Sequence, residues 1–338
     1  MKKRLIKTGI VGVVVSSLLV PSVAHGAESA VDQTAKLVEE VAPEGLPTAK
    51  PDANVSRDEI TLQSEASGDS LSVPLDRDQL IEIQTESIEG GYSSIGISMP
   101  GQAEVSKRGK SARSGTAVFT GQDVDIVVEP VEASSVRINT VLESKKSPHL
   151  FTYELDLPKQ AKLELQEGGS IAVIENGVLI GGIAEPWARD SSGREIATRY
   201  EIEGHSFTQI IVQDESAVYP VVADPWVGKA LIAKTSWTSY NKKYKGYTLE
   251  VYPTQWGRFN VWLWFGPALY GSIRKAFYYE MNSKTPGKRE ETASMRDQLY
   301  CHIDAVRLKD PYKKSWNLDT WRPNVSYARM LRALCNPL

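Results

Sequence analysis

Charge reverses once along this chain, and the reversal constrains its organisation more than any motif does. Residues 28–226 hold 16 Lys/Arg against 34 Asp/Glu, a net −18, whereas residues 227–338 hold 19 against 8, a net +11. Opposite signs in consecutive stretches of a 338-residue chain predict two units with different work, each long enough to bury a core. With 41% hydrophobic and 24% charged residues, neither wholesale disorder nor a polytopic membrane protein fits.

The first residues are read differently from the rest. Lys2, Lys3, Arg4 and Lys7 precede an apolar run over 9–20, and Pro21, Ala24, Gly26 and Ala27 form a small-residue exit. That order predicts a secretory signal peptide over 1–27, and hence a secreted, extracellular protein. An uncleaved anchor would need about 20 apolar residues before a breaker. Export implies an oxidising setting, so Cys301 and Cys335, the two cysteines, are expected to bridge. The alternative is a reactive thiol. No CxxC pair is present, so the sequence suggests no metal site and no cofactor.

Residues 28–57 read as a polar, Pro-rich linker, with one amphipathic helix over 30–41 that places Leu37, Val38 and Val41 on a face. Beyond it, short alternating runs at 60–63, 80–85, 94–98, 117–120 and 124–128 predict strands. Asn176-Gly177 lies between the runs 171–174 and 178–183 and predicts a tight hairpin. Ser191-Ser192-Gly193 predicts a second turn, between 183–187 and 195–202. Tyr219 to Trp226 contains two prolines and reads as a stiff extended connector. Past it, strands are expected at 231–238 and 247–252 around Lys242, Lys243, Lys245 and Gly246, helices at 272–281 and 326–334, and helix or strand at 295–306.

The expected fold class is therefore α+β. An antiparallel β-rich, sandwich-like N-terminal domain over 58–223 is followed by a connector over 224–236 and a small disulfide-closed α+β domain over 237–338.

Seven of eight tryptophans and ten of fourteen tyrosines lie at or beyond Trp226. Cations interleaved with rings suit polyanions, although in so small a domain most such rings serve as core. Residues 259–273 carry no charge, include Trp262 and Trp264, and are flanked by Arg258 and by Arg274 with Lys275. The run is too short to span a bilayer, which leaves an interfacial contact or a buried strand and turn. Trp321 and Arg322 complete the candidate binding set. For catalysis the candidates are His302 and Asp304, with Glu250 and Glu280 as further carboxylates, and nothing in the sequence sets their mutual geometry.

The runs Met295-Arg296-Asp297-Gln298-Leu299-Tyr300-Cys301-His302, Ser315-Trp316-Asn317-Leu318-Asp319-Thr320-Trp321-Arg322-Pro323-Asn324-Val325-Ser326-Tyr327 and Cys335-Asn336-Pro337, with Val251-Tyr252-Pro253-Thr254-Gln255-Trp256-Gly257-Arg258 before them, carry a resemblance. Over 237–338 the chain resembles the uncharacterised family domain of unknown function 2599, which occurs in secreted actinobacterial proteins. The resemblance supports the Cys301–Cys335 pairing and the boundary, and implies no activity. Tyr219 to Trp226 looks like a connector placed before varied C-terminal domains of exported actinobacterial proteins, which implies a delivery or pro-region module ahead of it.

The expectation drawn from these readings is a secreted two-domain protein. Its acidic domain docks on, covers or presents a basic effector that engages an anionic cell-wall polymer or membrane surface, with nucleic acid a less favoured partner. The alternatives are a secreted toxin-like hydrolase or nuclease using His302, and a structural surface protein.

Overall fold

Strand signals in the acidic part resolve, in a computed structural model, into antiparallel sheets. The structure describes residues 29–44, 46, 53–87, 91–258, 269–285, 287, 292–306 and 309–338. The expected signal peptide over 1–27, residues 47–52 and the part of the uncharged run over 259–268, which holds Trp262 and Trp264, lie outside the described residues.

One eight-stranded sheet runs in the order 54–55, 59–63, 70–74, 81–86, 92–97, 150–156, 206–211, 198–203. A second sheet, of ten strands, is centred on the long hairpin Val124–Glu132 and Ser135–Leu142. A single apolar cluster draws on both, joining Ile60, Leu71 and Ile83 of the first to Ile126, Ile138 and Val227 of the second. The hairpin is covered on its other face as well, which explains its near-continuous run of buried residues. The Asn176-Gly177 turn is present, with both residues at positive φ and Glu175 opposite Val178. The second expected turn joins only a short strand, Ala188–Asp190, bridged at Arg189 to Glu195.

The stretch 28–57 is less of a linker than its composition suggests. Helix α1 (Ala30–Val41) is capped by the Ser29 hydroxyl, which accepts from Asp32 N at 3.2 Å. Val31, Ala35 and Val38, spaced four and three apart, seat it on Val118, Val127, Val141 and Val222 of the ten-stranded sheet. Asn54–Val55 is itself a strand, paired with Ile60 and Thr61.

The expected connector is likewise built in. Val221–Ala223 and Trp226–Gly228 are strands that pair in succession with Ser135–Leu142, so residues 224–228 sit inside a sheet rather than between two bodies. The extended backbone that the prolines impose is present, but it finds a partner strand: Pro225 O accepts from Ile138 N at 2.8 Å. A sequence shows the missing proline donors and not the neighbour that uses the remaining acceptors.

The basic part begins at once with a three-stranded antiparallel sheet, Ile232–Trp237, Thr248–Pro253 and Trp316–Asp319. Helix α2 (Tyr270–Ser283) and helix α3 (Ala293–Cys301) pack on it, and α3 runs into a π-helical turn, His302–Val306. The ambiguous run at 295–306 is thus helical. Cys301 is bonded to Cys335, which follows helix α4 (Tyr327–Arg332). Leu334, inside the helix expected over 326–334, lies beyond its observed end and is 50% exposed. The helix stops at Arg332, and Leu334 and Cys335 both take positive φ to turn the cysteine onto Cys301, so the leucine swings outward.

An apolar seam joins the two charge classes. Val131, Ala172, Ile174, Leu179 and Trp226 from the acidic part cluster with Leu231, Val251, Trp256, Ile273 and Phe277 from the basic part. Trp226 meets Trp256 edge to face at 5.5 Å. Among the described residues one ion pair crosses the seam, Lys284 Nζ to Asp69 Oδ2 at 2.9 Å. Glu132 also accepts from Gln255 N at 2.8 Å, and Lys229 donates to Ser93 Oγ at 2.8 Å. Apolar burial thus spans the seam alongside these few polar contacts.

Candidate functional site

Residues 238–247 join the first two strands of the three-stranded sheet into a projecting tip. Asn241 and Gly246 exchange main-chain hydrogen bonds at 2.7 and 3.3 Å, and the Asn241 side-chain carbonyl accepts from Lys243 N and Tyr244 N at 3.0 and 3.2 Å. Gly246 is needed for close approach, because a Cβ there would lie 2.5 Å from Thr320 Oγ1 and 2.9 Å from the Trp321 ring. The loop is thereby pressed against Trp321, on which Tyr244 stacks at 5.2 Å with an interplanar angle of 11°. Lys243 lies 4.9 Å above the Tyr244 ring, and Tyr240 meets Tyr247 edge to face at 5.1 Å.

This surface is open and cationic. Lys242, Lys243 and Lys245 are exposed, and Tyr240 and Tyr244 are 48% and 43% exposed. None of the three lysines forms an ion pair with a described residue. Of the sequence-derived binding residues, Trp321 belongs here. Arg322 is adjacent, but its guanidinium is committed to Asp319 at 2.6 Å and to Pro337 O at 3.2 Å. Tyr240 and Tyr244 were not singled out from sequence; their signal was the Tyr-Asn-Lys-Lys-Tyr-Lys alternation, which reads equally well as an ordinary polar turn.

A second constellation gathers Arg274 and Asp304. Arg274, on α2, donates to Asp304 Oδ2, to Tyr270 Oη at 2.7 Å and to Tyr327 Oη at 3.0 Å, while Tyr327 donates to the same carboxylate oxygen. The rings of Tyr270, Tyr300 and Tyr327 surround the guanidinium, with centroids 4.2, 5.0 and 5.0 Å away. The helical spacing Tyr270–Arg274 and the turn Tyr300–Asp304 supply it, so four elements meet at one cation. Burial, then the Asp304 carboxylate, pushes the Tyr270 hydroxyl up to about 12 and raises Tyr327 further. Burial pulls the Arg274 pKa down, but the hydrogen bond and charge of Asp304 outweigh it and leave the group raised. All of these bonds run through Asp304 Oδ2 and one guanidinium nitrogen and tie α2, α3 and α4 together, while Asp304 Oδ1 and Arg274 Nε are buried without a hydrogen-bond partner among the described residues.

His302 does not share that cage. It is 1% exposed, its Nδ1 lies 2.7 Å from Gln298 O, and its ring stacks on Trp316 at 6.2 Å. The two sequence-derived catalytic candidates thus share one turn but bond to different partners. Arg258 braces the segment before strand Trp316–Asp319 through Lys313 O and Lys314 O, and Lys275 is exposed on α2. Of the further carboxylates, Glu280 caps Leu231 N and Ile232 N at 2.9 Å, and Glu250 bonds Ser236 and Tyr252. Among the described residues no group of three or more His, Cys, Asp or Glu side chains is placed to hold a metal ion, and no helix is long and apolar enough to cross a membrane.

Residues 232–338 match the family model described as Protein of unknown function (DUF2599). Uncharacterized protein Mb0487 of Mycobacterium bovis is 33% identical over 125 residues, which cover 34% of this chain and 78% of that protein. The chain belongs to the DUF2599 family. Uncharacterized protein Rv0477 of Mycobacterium tuberculosis is similar to the same extent. No solved structure matches the chain. The DUF2599 match contains both the hairpin tip and the Arg274 cage.

Proposed function

We propose that this protein is secreted and that its acidic part, a sandwich-like module, presents the basic DUF2599 part to anionic polymers or surfaces of the bacterial envelope. The observation that carries the reading is the tip: three exposed lysines without an ion-pair partner among the described residues, set among half-exposed rings, in a stretch of net charge +11. An unpaired surface cation costs nothing to hydrate and attracts polyanions over about a Debye length. The apolar seam gives presentation a physical basis, since it holds the basic part in one orientation. The hydrolase alternative loses support from the buried position of His302.

The test uses the full chain without its first 27 residues. Binding to immobilised glycerol-phosphate polymer and to vesicles rich in anionic lipid is measured at 50 and 500 mM NaCl. Binding at low salt that falls steeply at high salt is expected. Failure to bind either at 50 mM NaCl would sink the reading.

A further inference from the structure

We infer that the hairpin tip, residues 238–247 seated on Thr320 and Trp321, is a docking site for a polymer of sugars or polyols joined by phosphates. The inference rests on the reading that the basic part meets anionic polymers; it adds which residues meet which chemistry.

Three properties coincide at the tip. Lys242, Lys243 and Lys245 put three ammonium groups on one short loop with no described carboxylate against them, and an ammonium is a compact point charge that follows phosphates without demanding a fixed geometry. Tyr244 stacked on Trp321 provides a flat ring surface beside those charges, and Tyr240 provides a second ring that is half exposed. The C–H face of a sugar packs on such a surface while its flanking phosphates reach the lysines. Finally, the loop is already ordered by the Asn241–Gly246 pair and the Asn241 side chain, so binding loses little conformational freedom.

Other polyanions fit less well. Residues 238–247 contain no Leu, Ile, Val, Phe or Met to insert between lipid tails. Against nucleic acid, the neighbouring Arg322, whose guanidinium could pair bidentately with a base edge, is committed to Asp319 and Pro337 O, and poly(dT) tests the remaining stacking route.

The experiment titrates the full chain, disulfide intact, with four probes at several salt concentrations: a glycerol-phosphate polymer bearing sugar substituents, polyphosphate of matched phosphate count, a neutral glucan and poly(dT). The variants are Tyr244→Ser, Tyr244→Phe, the triple Lys242→Ser/Lys243→Ser/Lys245→Ser, and Tyr279→Ser as an exposed tyrosine on α2. The sugar-bearing polymer should bind tightest. Tyr244→Ser should weaken it about tenfold, in line with the loss of one stacking platform, and leave polyphosphate unchanged. Tyr244→Phe and Tyr279→Ser should bind as the parent does. The triple variant should weaken both phosphate polymers and flatten the log–log salt slope by about two to three. If the parent binds polyanions but the Tyr244→Ser and triple variants match it, the tip assignment is wrong while the charge-based reading stands. Tighter binding of poly(dT) overturns the ligand class, and no binding of any phosphate polymer overturns both.

Discussion

Acidification should unfold this protein partly through one histidine. His302 lies in the core, with Nδ1 against Gln298 O and its ring on Trp316. Burial, with a smaller push from the positive charges of Lys313 and Arg322, lowers its pKa from 6.5 to about 4, while the Gln298 carbonyl opposes the shift. The unfolded chain takes up the proton near pH 6.5 and the folded chain resists until about pH 4. Stability attached to this residue is therefore fully present above pH 6.5 and drains away as the pH falls to 4. At 1.36 kcal/mol per pH unit, the interval corresponds to about 3 kcal/mol. The assay is urea unfolding of the parent and of His302→Gln between pH 7.5 and 4. Taking the difference between the two cancels the carboxylates, including buried Asp224, whose pKa is pushed up to about 8 by burial and which works in the opposite sense. The parent should lose about 3 kcal/mol relative to the variant across that range, and the imidazole resonance should titrate near pH 4. A difference that stays constant with pH would refute the reasoning.

Two further outcomes are expected. Replacing Cys301 and Cys335 together by Ser opens a loop with a sequence separation of 34, and the chain-entropy estimate gives a loss of about 3 to 4 kcal/mol, to be read by denaturant unfolding. Lys284→Met removes the cation that buried Asp69 shares with Glu280, the Lys284 and Asp69 side chains being only 2% and 3% exposed; a cost of about 3 to 5 kcal/mol is expected, with part of it recovered when Asp69→Leu is added, and a double variant no better than the single would count against the pair.

Local signals were legible wherever a short stretch dictates its own geometry. Helix α1 spans the expected residues 30–41, with Val38 and Val41 buried as read and Leu37 only partly so, the Asn176-Gly177 turn forms as its dihedral needs require, and the cysteines pair. Strands buried on both faces, such as Ser135–Leu142, were missed because their residues do not alternate. The stretch around Pro225 was misread because whether an extended segment is a connector or a strand depends on a partner some 85 residues earlier. Within the candidate site, Trp321 and the three lysines were visible as residue types, but their adjacency was not, since 70 or more residues separate them in the chain.

Residue order alone therefore determined the sign of charge in each half and, there being two cysteines, which of them could pair, and it set the turns and the shortest-range helix, which depend on neighbours within a few positions. Tertiary structure alone decided that His302 and Asp304 have different surroundings, that Arg274 finds Asp304 across three tyrosine rings, and that Trp226 and Trp256 close one apolar seam. The physical reason is range: hydrogen bonding and backbone sterics act along the chain, whereas burial depends on which distant surfaces meet when water is excluded.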